Sequence, residues 1–256
     1  MRLIAEQYEK NWVKLVLAVA ANVIFLVLLL KIFTPRYEIN DDMFISMFID
    51  GQMANKSNYI LFCNYFLAAV LRFLYDITSN TYPIYSLFQY AILLLSFISI
   101  SYVLLCRCNL FVAFATNSCL LGFFAANCYL YITFTKTSGI AVTAGIFLML
   151  YARSRKTEKW EHFTGIALGI GLCLSAIVLR VDIFAAVLAV LFPLGLYELV
   201  MYTRNKEKKL RAALSYCMPF LMMLVLAGGL YGANALMWLR NPYREYKEFA
   251  TQISNI

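Results

Sequence analysis

Two adjacent carboxylates are the first residues in this chain whose types and spacing suit chemistry. Asn40-Asp41-Asp42 stands directly before the apolar stretch Met43-Phe44-Ile45-Ser46-Met47-Phe48-Ile49, which Asp50-Gly51 ends. One reading is helix capping. Asn40 or Asp41 would accept hydrogen bonds from the first free backbone N–H groups, and acids at that positive end gain about 0.3 to 1 kcal/mol. The other reading is a general base at a membrane interface, where a carboxylate takes the proton of a hydroxyl attacking a lipid-linked donor. Adjacent helical residues point about 100° apart, so one acid can face a site while the other caps the helix or binds a divalent cation. Spacing leaves both readings open.

Two later segments carry the complementary charge. Arg180 and Asp182 lie in Leu179-Arg180-Val181-Asp182-Ile183, a tight turn between apolar runs. A guanidinium there can grip a phosphate bidentately and neutralise a leaving group, or form a local Arg-Asp pair that terminates two helices. Lys136, within Phe134-Thr135-Lys136-Thr137-Ser138-Gly139, is a second cation at a short turn, suited to phosphate contact or to interfacial anchoring.

Other chemistries lack their residues. The only histidine is His162, which removes H-E-x-x-H metal sites, and no G-x-x-x-x-G-K-[ST] loop is present. Cys106 and Cys108 flank Arg107 without further zinc ligands nearby, and the seven cysteines sit mostly in apolar runs as small hydrophobes. Asn55-Lys56-Ser57 is a formal glycosylation sequon, a pattern too common to locate the protein. Gly165-x-x-x-Gly169 with Gly171 reads as a small-residue packing face.

The elements that must position these groups are membrane helices. Of 256 residues, 62% are hydrophobic and 14% charged, an excess of apolar side chains that one aqueous core cannot hide. The net charge of +8 is therefore read by side of membrane, and nucleic acid is not among the expected partners. Apolar runs at Leu15 to Leu30, Ile84 to Leu105, Leu110 to Phe134, Thr137 to Tyr151, Phe163 to Leu179, Ile183 to Tyr202 and Ala212 to Leu239 predict seven spans. The fourth is short for a hydrocarbon core of about 30 Å and is expected to be tilted, broken or partly re-entrant. Pro193 and Pro219 are expected to kink their helices, and Glu198 to be solvated near a span end.

Arg153, Arg155, Lys156 and Lys159 form one basic loop, and Arg204, Lys206, Lys208, Lys209 and Arg211 form another two spans later. Both should be cytoplasmic, as should the N-terminus with Arg2, Lys10 and Lys14. Four crossings between the N-terminus and Arg153 satisfy this. Ile60 to Tyr75, which carries Asn64 and Arg72, is then an amphipathic helix at the outer interface. The fold class is all-α: a polytopic membrane protein with a transmembrane module over residues 1–239 and amphipathic juxtamembrane helices in a first outer loop at 34–83. Residues 240–256 form an outer polar segment. Asp41, Asp42, Lys136, Arg180 and Asp182 all fall on the extracytoplasmic side in this reading.

The order of these parts resembles the GT-C class of integral-membrane glycosyltransferases. In that class a first helix leads into an outer loop bearing an acidic motif, here Asn40-Asp41-Asp42, followed by juxtamembrane helices and further spans. Leu179-Arg180-Val181-Asp182 is similar to a leucine, arginine, proline, aspartate run in bacterial members, with Val181 replacing the proline; Phe134-Thr135-Lys136-Thr137-Ser138 is similar to a short outer turn. The resemblance implies sugar transfer from a polyprenyl-phosphate donor to an acceptor hydroxyl at the cell membrane. It assigns Asp41 as base, Asp42 as its support or as a ligand of a divalent cation that some members need, and Arg180 and Lys136 as phosphate contacts. Members generally continue into a further module, so the chain reads as a front half completed by a C-terminal module or a partner subunit.

Two other classes remain. A transporter or lipid flippase would show internal repeats and ionisable groups at the bilayer midplane, and neither is evident. A non-enzymatic membrane subunit would use the acids only as helix caps.

Overall fold

The computed structural model describes residues 11–52, 57–60, 62–154, 159–204, 206 and 209–239. Among the sequence expectations, Arg2, Lys10, Asn55, Lys56, Arg155, Lys156, Lys208 and the segment 240–256 lie outside the described residues.

The protein is an all-α polytopic membrane protein, with seven helices long and apolar enough to cross a bilayer among the described residues. In chain order the elements are α1 (Asn11–Ile32), the two-residue strand β1 (Arg36–Tyr37), α2 (Asn40–Asp50), α3 (Tyr65–Ile77) and α4 (Ile84–Arg107). Next come α5 (Leu110–Cys119), a π-helical turn at Leu120–Ala125, α6 (Ala126–Leu130) and the strand β2 (Tyr131–Ile132). α7 (Phe134–Ser154), α8 (Lys159–Leu179), α9 (Val181–Thr203) and α10 (Lys209–Leu239) complete the order. The spans are α1, α4, the continuous α5–α6 unit, α7, α8, α9 and α10.

Side-chain contacts fix which helix ends lie together. Asn11 Nδ2 donates to Glu161 Oε2 at 2.9 Å, bringing the start of α1 to the start of α8. Arg107 meets Glu198 at 3.8 Å, so the end of α4 lies beside the end of α9, and Glu198 is ion-paired there rather than simply solvated. Arg153 Nη2 donates to Ser215 Oγ at 3.0 Å, joining the end of α7 to the start of α10. All of these contacts define one basic end of the bundle. The opposite end collects β1, α2, α3, β2 and the α8–α9 turn.

The fourth span departs from expectation. α7 is unbroken over 21 residues, about 31 Å at 1.5 Å per residue, and it is the helix most enclosed by the others. Of its membrane-length window 67% is buried, against 6% for α9, so α7 is the central post and α9 faces lipid. It looked short because Phe134, which opens it, reads in sequence as the end of the preceding apolar run. That run stops at Leu130, where the backbone becomes extended and β2 pairs in parallel with β1, Arg36 opposite Tyr131 and Tyr37 opposite Ile132. Pro193 and Pro219 both lie inside continuous helices.

α7 and α8 approach until their backbones touch. A Cβ on Gly145 would stand 2.5 Å from the Gly169 carbonyl oxygen, and one on Gly169 would stand 2.7 Å from that of Gly145. Glycine is what lets these two helices close up. Gly165 packs near Ala152, whereas Gly171 faces open space and is not part of the expected packing face. Elsewhere uncharged polar groups join the spans: Asn22 Nδ2 donates to Ser101 Oγ at 2.9 Å, and Ser101 Oγ donates to Asn117 Oδ1 at 2.6 Å, linking α1, α4 and α5.

The amphipathic helix of the first loop is α3, slightly later than the apolar run suggested. At 13 residues it is about 20 Å long, too short to cross. Asn64 is its N-cap, accepting from the Phe66 N–H at 2.9 Å, which accounts for a polar residue within the apolar run. Leu67, Ala68, Leu71 and Tyr75 form its buried face, and Asn234 Oδ1 of α10 accepts from the Tyr65 N–H at 2.9 Å. α2 buries Asp42, Ile45 and Ile49 at helical spacing and stops at Gly51, whose φ of 85° is the left-handed conformation glycine adopts without strain.

Candidate functional site

Every candidate residue lies at the end of the bundle opposite the basic loops, and the turn from Ile132 to Lys136 is where their elements meet. The Glu38 N–H donates to the Ile132 carbonyl at 3.1 Å, extending the β1–β2 pairing and holding the first loop against the start of α7. α2 then begins at Asn40. Its N-cap is Ile39 with no side-chain cap, so neither Asn40 nor Asp41 serves the capping role the sequence offered.

Asp42 is fully buried and binds across the fold. Its Oδ1 accepts from the Tyr85 hydroxyl at 2.8 Å and from Gln89 Nε2 at 2.9 Å, both on α4. The backbone N–H of Phe134, at the start of α7, donates to Oδ1 at 3.1 Å and Oδ2 at 3.3 Å. One carboxylate therefore clamps α2, α4 and α7. Burial pushes its pKa up from the ordinary carboxylate value, while the hydrogen bonds from Tyr85 and Gln89 oppose part of that rise by favouring the charged form. The donor shell of hydroxyl, amide and backbone N–H fits an anion and not a metal ion. Among the described residues no group of three or more His, Cys, Asp or Glu side chains could hold a metal.

Around this clamp lies a second layer. Thr137 Oγ1 contacts Gln89 Oε1 at 2.9 Å and the Thr133 carbonyl at 3.0 Å. Tyr37 shares a hydrogen bond with Ser86 at 2.6 Å, and burial also raises the pKa of its phenol. The Tyr75 hydroxyl accepts from the Tyr85 N–H at 3.2 Å, tying α3 to the same point.

Asp41 sits on the half-buried flank of the first turn, with no hydrogen-bond or ion-pair partner among the described residues. Beside Phe134, Arg180 lies with its guanidinium carbon 5.0 Å from the ring centroid. Its Nε donates to both oxygens of Asp182 at 3.0 Å, and Nη1 donates to Thr135 Oγ1 at 3.3 Å. The local Arg-Asp pair is thus present, yet it occupies one N–H and Thr135 another, leaving three of the five guanidinium N–H groups without a partner among the described residues. Lys136 pairs with Glu38 at 2.7 Å, donates to Asn127 Oδ1, and lies 6.0 Å from the centroid of Tyr131. Arg36 covers the same ring at 4.9 Å.

Sequence positions 42, 134–136 and 180–182 therefore converge, with Phe134 contacting both Asp42 and Arg180. Lys136 is the least available of the expected phosphate contacts, since its charge is already matched by Glu38. Sequence reasoning missed Tyr85, Gln89, Phe134 and Thr137. The available signal was Tyr85 and Gln89, two polar-tipped residues four apart on one face at the start of a membrane span. No family model, curated protein or solved structure matches the chain.

Proposed function

We propose that this chain is the membrane module of a glycosyltransferase that moves a sugar from a polyprenyl-phosphate donor to an acceptor hydroxyl on the extracytoplasmic side. The observation that carries the reading is Phe134, whose N–H holds Asp42 and whose ring carries Arg180. Through that turn Asp41, next in the chain to the buried Asp42, and Arg180 from a distant segment are brought to the same end of the bundle, the arrangement a lipid-anchored anion and an incoming hydroxyl require.

In this scheme the acceptor oxygen attacks the anomeric carbon and the bond to the phosphate oxygen breaks. The polyprenyl phosphate leaves with the electron pair, its charge met by the unpartnered N–H groups of Arg180. Asp41, the accessible acid of the pair, takes the acceptor's proton. Asp42, enclosed and clamped, positions the turn on which Asp41 rides. The basic end, with Arg107, Arg153, Arg204, Lys206 and Arg211, faces the cytoplasm by the charge rule, which puts the N-terminus inside and the site outside. The partners of this reading are the lipid-linked donor, the acceptor, surrounding membrane lipid, and a C-terminal module or partner subunit.

Against a pure subunit role stands the behaviour of the acids, which do not cap α2. The test is sugar transfer from a labelled polyprenyl-phosphate sugar in membranes containing the chain. Asp41→Asn should lower the rate by about 10²-fold or more, the usual contribution of a positioned base. Arg180→Gln should lower it while Arg180→Lys retains part. Unchanged transfer in Asp41→Asn would reject the assignment.

A further inference from the structure

The buried clamp has a property its hydrogen bonds alone dictate. Asp42 is served by Tyr85 Oη, Gln89 Nε2 and Phe134 N, with the buried Thr133 hydroxyl also against it. That suits a carboxylate. A carboxylic acid needs an acceptor, which a neighbouring hydroxyl can offer and which the Gln89 amide offers in the same shape turned over, with oxygen and nitrogen exchanged.

With Asp42 charged, Gln89 Nε2 donates to it and Thr137 gives its hydroxyl proton to Gln89 Oε1, so the second contact of Thr137, to the Thr133 carbonyl at 3.0 Å, has no proton to use. With Asp42 protonated and the Gln89 amide turned over, the acid donates to Gln89 Oε1, Gln89 Nε2 donates to Thr137 Oγ1, and the Thr137 proton is released to the Thr133 carbonyl. Both arrangements satisfy every member, using distances already present. Asp42, Gln89 and Thr137 are each fully buried, so water does not substitute for a missing partner.

We infer that Gln89 and Thr137 form a two-state relay that reads the proton on Asp42, the Gln89 amide turning over when the carboxyl takes up a proton. The ionisable groups around Asp42 are Tyr37 after α1, Tyr75 on α3, Tyr85 on α4 and Cys63 ahead of α3, with Asp41 next in the chain and Arg180 across the Phe134 ring. Asp42 is the buried carboxyl of this set, and burial pushes its pKa up from the ordinary carboxylate value. As a control on sugar transfer, in which acidity at the outer face alters the turn carrying Asp41, the relay rests on the glycosyltransferase reading. The proton-coupled turnover of Gln89 does not.

The experiment is infrared difference spectroscopy of the full chain in lipid nanodiscs, titrated from neutral to acid pH, with and without ¹³C in the glutamine side chains. The expected result is a protonated-carboxyl band that is absent in Asp42→Asn, rising together with a label-sensitive glutamine amide change that is absent in Gln89→Leu. Gln89→Leu removes a charge-assisted donor from the ionised state and a weaker contact from the neutral one, so the carboxyl midpoint should move up by about one pH unit. A carboxyl band that rises without any glutamine component overturns the relay, and so does absence of an Asp42 band down to the pH of unfolding. The unsubstituted protein alone decides whether the two components appear together. Sugar transfer is not read, so loss of the enzymatic reading leaves this result standing.

Discussion

A carboxylate with no exposed surface and four hydrogen-bond contacts from three side-chain or backbone donors is first a structural object. Asp42→Ala would leave the Tyr85 hydroxyl, the Gln89 amide and the Phe134 N–H buried without an acceptor, at about 1 to 3 kcal/mol for each orphaned group that cannot find another. Asp42→Asn keeps one acceptor oxygen and should cost less, so the expected order of melting temperature is unsubstituted, then Asn, then Ala. Proton linkage gives a sharper check. The folded state raises the pKa of Asp42, so between the ordinary carboxylate value near 3.9 and the raised one the folded protein binds more protons than the unfolded chain. Stability attributable to this group is therefore greatest below that window, declines as pH rises through it, and is level above. Asp42→Asn should flatten that part of the pH–stability curve, measured by thermal unfolding in detergent. A slope identical to that of the unsubstituted protein would mean that Asp42 does not titrate in this range.

At the scale of elements, the decisive contact is between α7 and α8. Alanine in place of glycine inside a helix ordinarily gains up to about 1 kcal/mol from propensity. At Gly169 the new methyl would meet the Gly145 carbonyl at 2.7 Å and the Met149 side chain at 2.8 Å, and overpacking of that kind costs about 1 to 3 kcal/mol. Gly171, one turn-fraction away, meets nothing within 4 Å. Gly169→Ala should lower the melting temperature while Gly171→Ala holds or raises it, and equal effects would contradict the close approach. This pair also marks the reach of sequence. Gly165, Gly169 and Gly171 were legible as small residues on a packing helix, but composition does not say which of them faces a neighbour, because that depends on the rotation of α8 against α7. The span limits behaved in the same way. Apolar runs located the seven helices, yet the boundary near Phe134 was hidden, since an apolar residue at a helix start looks identical to one at a helix end. What separates the two is the β1–β2 pairing, a contact between residues almost a hundred positions apart. The acids show a third case: their proximity to a helix start was readable, whereas the identity of the clamped one required Tyr85 and Gln89 from α4 and the Phe134 N–H from α7.

For the molecule as a whole, charge and packing make separate statements that must agree. Packing gathers Asn11, Arg107, Arg153, Glu161, Glu198 and Ser215 at one end, so the N-terminal helix and both basic loops share a side whatever the orientation in the membrane. In the proposed orientation charge chooses which side that is, because short basic loops tend to be retained in the cytoplasm. Neither argument uses the other's data: the first would hold if every lysine were neutral, and the second would hold without a structure. Together with the proposed orientation, this packing predicts the sides on which Ser79 and Lys206 lie. Ser79 follows α3 at the site end, Lys206 sits between α9 and α10 at the basic end, and both are exposed. On a background with the native cysteines replaced, Ser79→Cys in intact cells should react with a membrane-impermeant maleimide, while Lys206→Cys should react only after the membrane is opened. Reversal of both would invert the orientation and move Asp41 and Arg180 to the cytoplasmic face, ending the extracytoplasmic reading while leaving the fold intact. Labelling of both from outside would be the graver result, since it would place the two ends of α9 on one side and contradict the bundle itself.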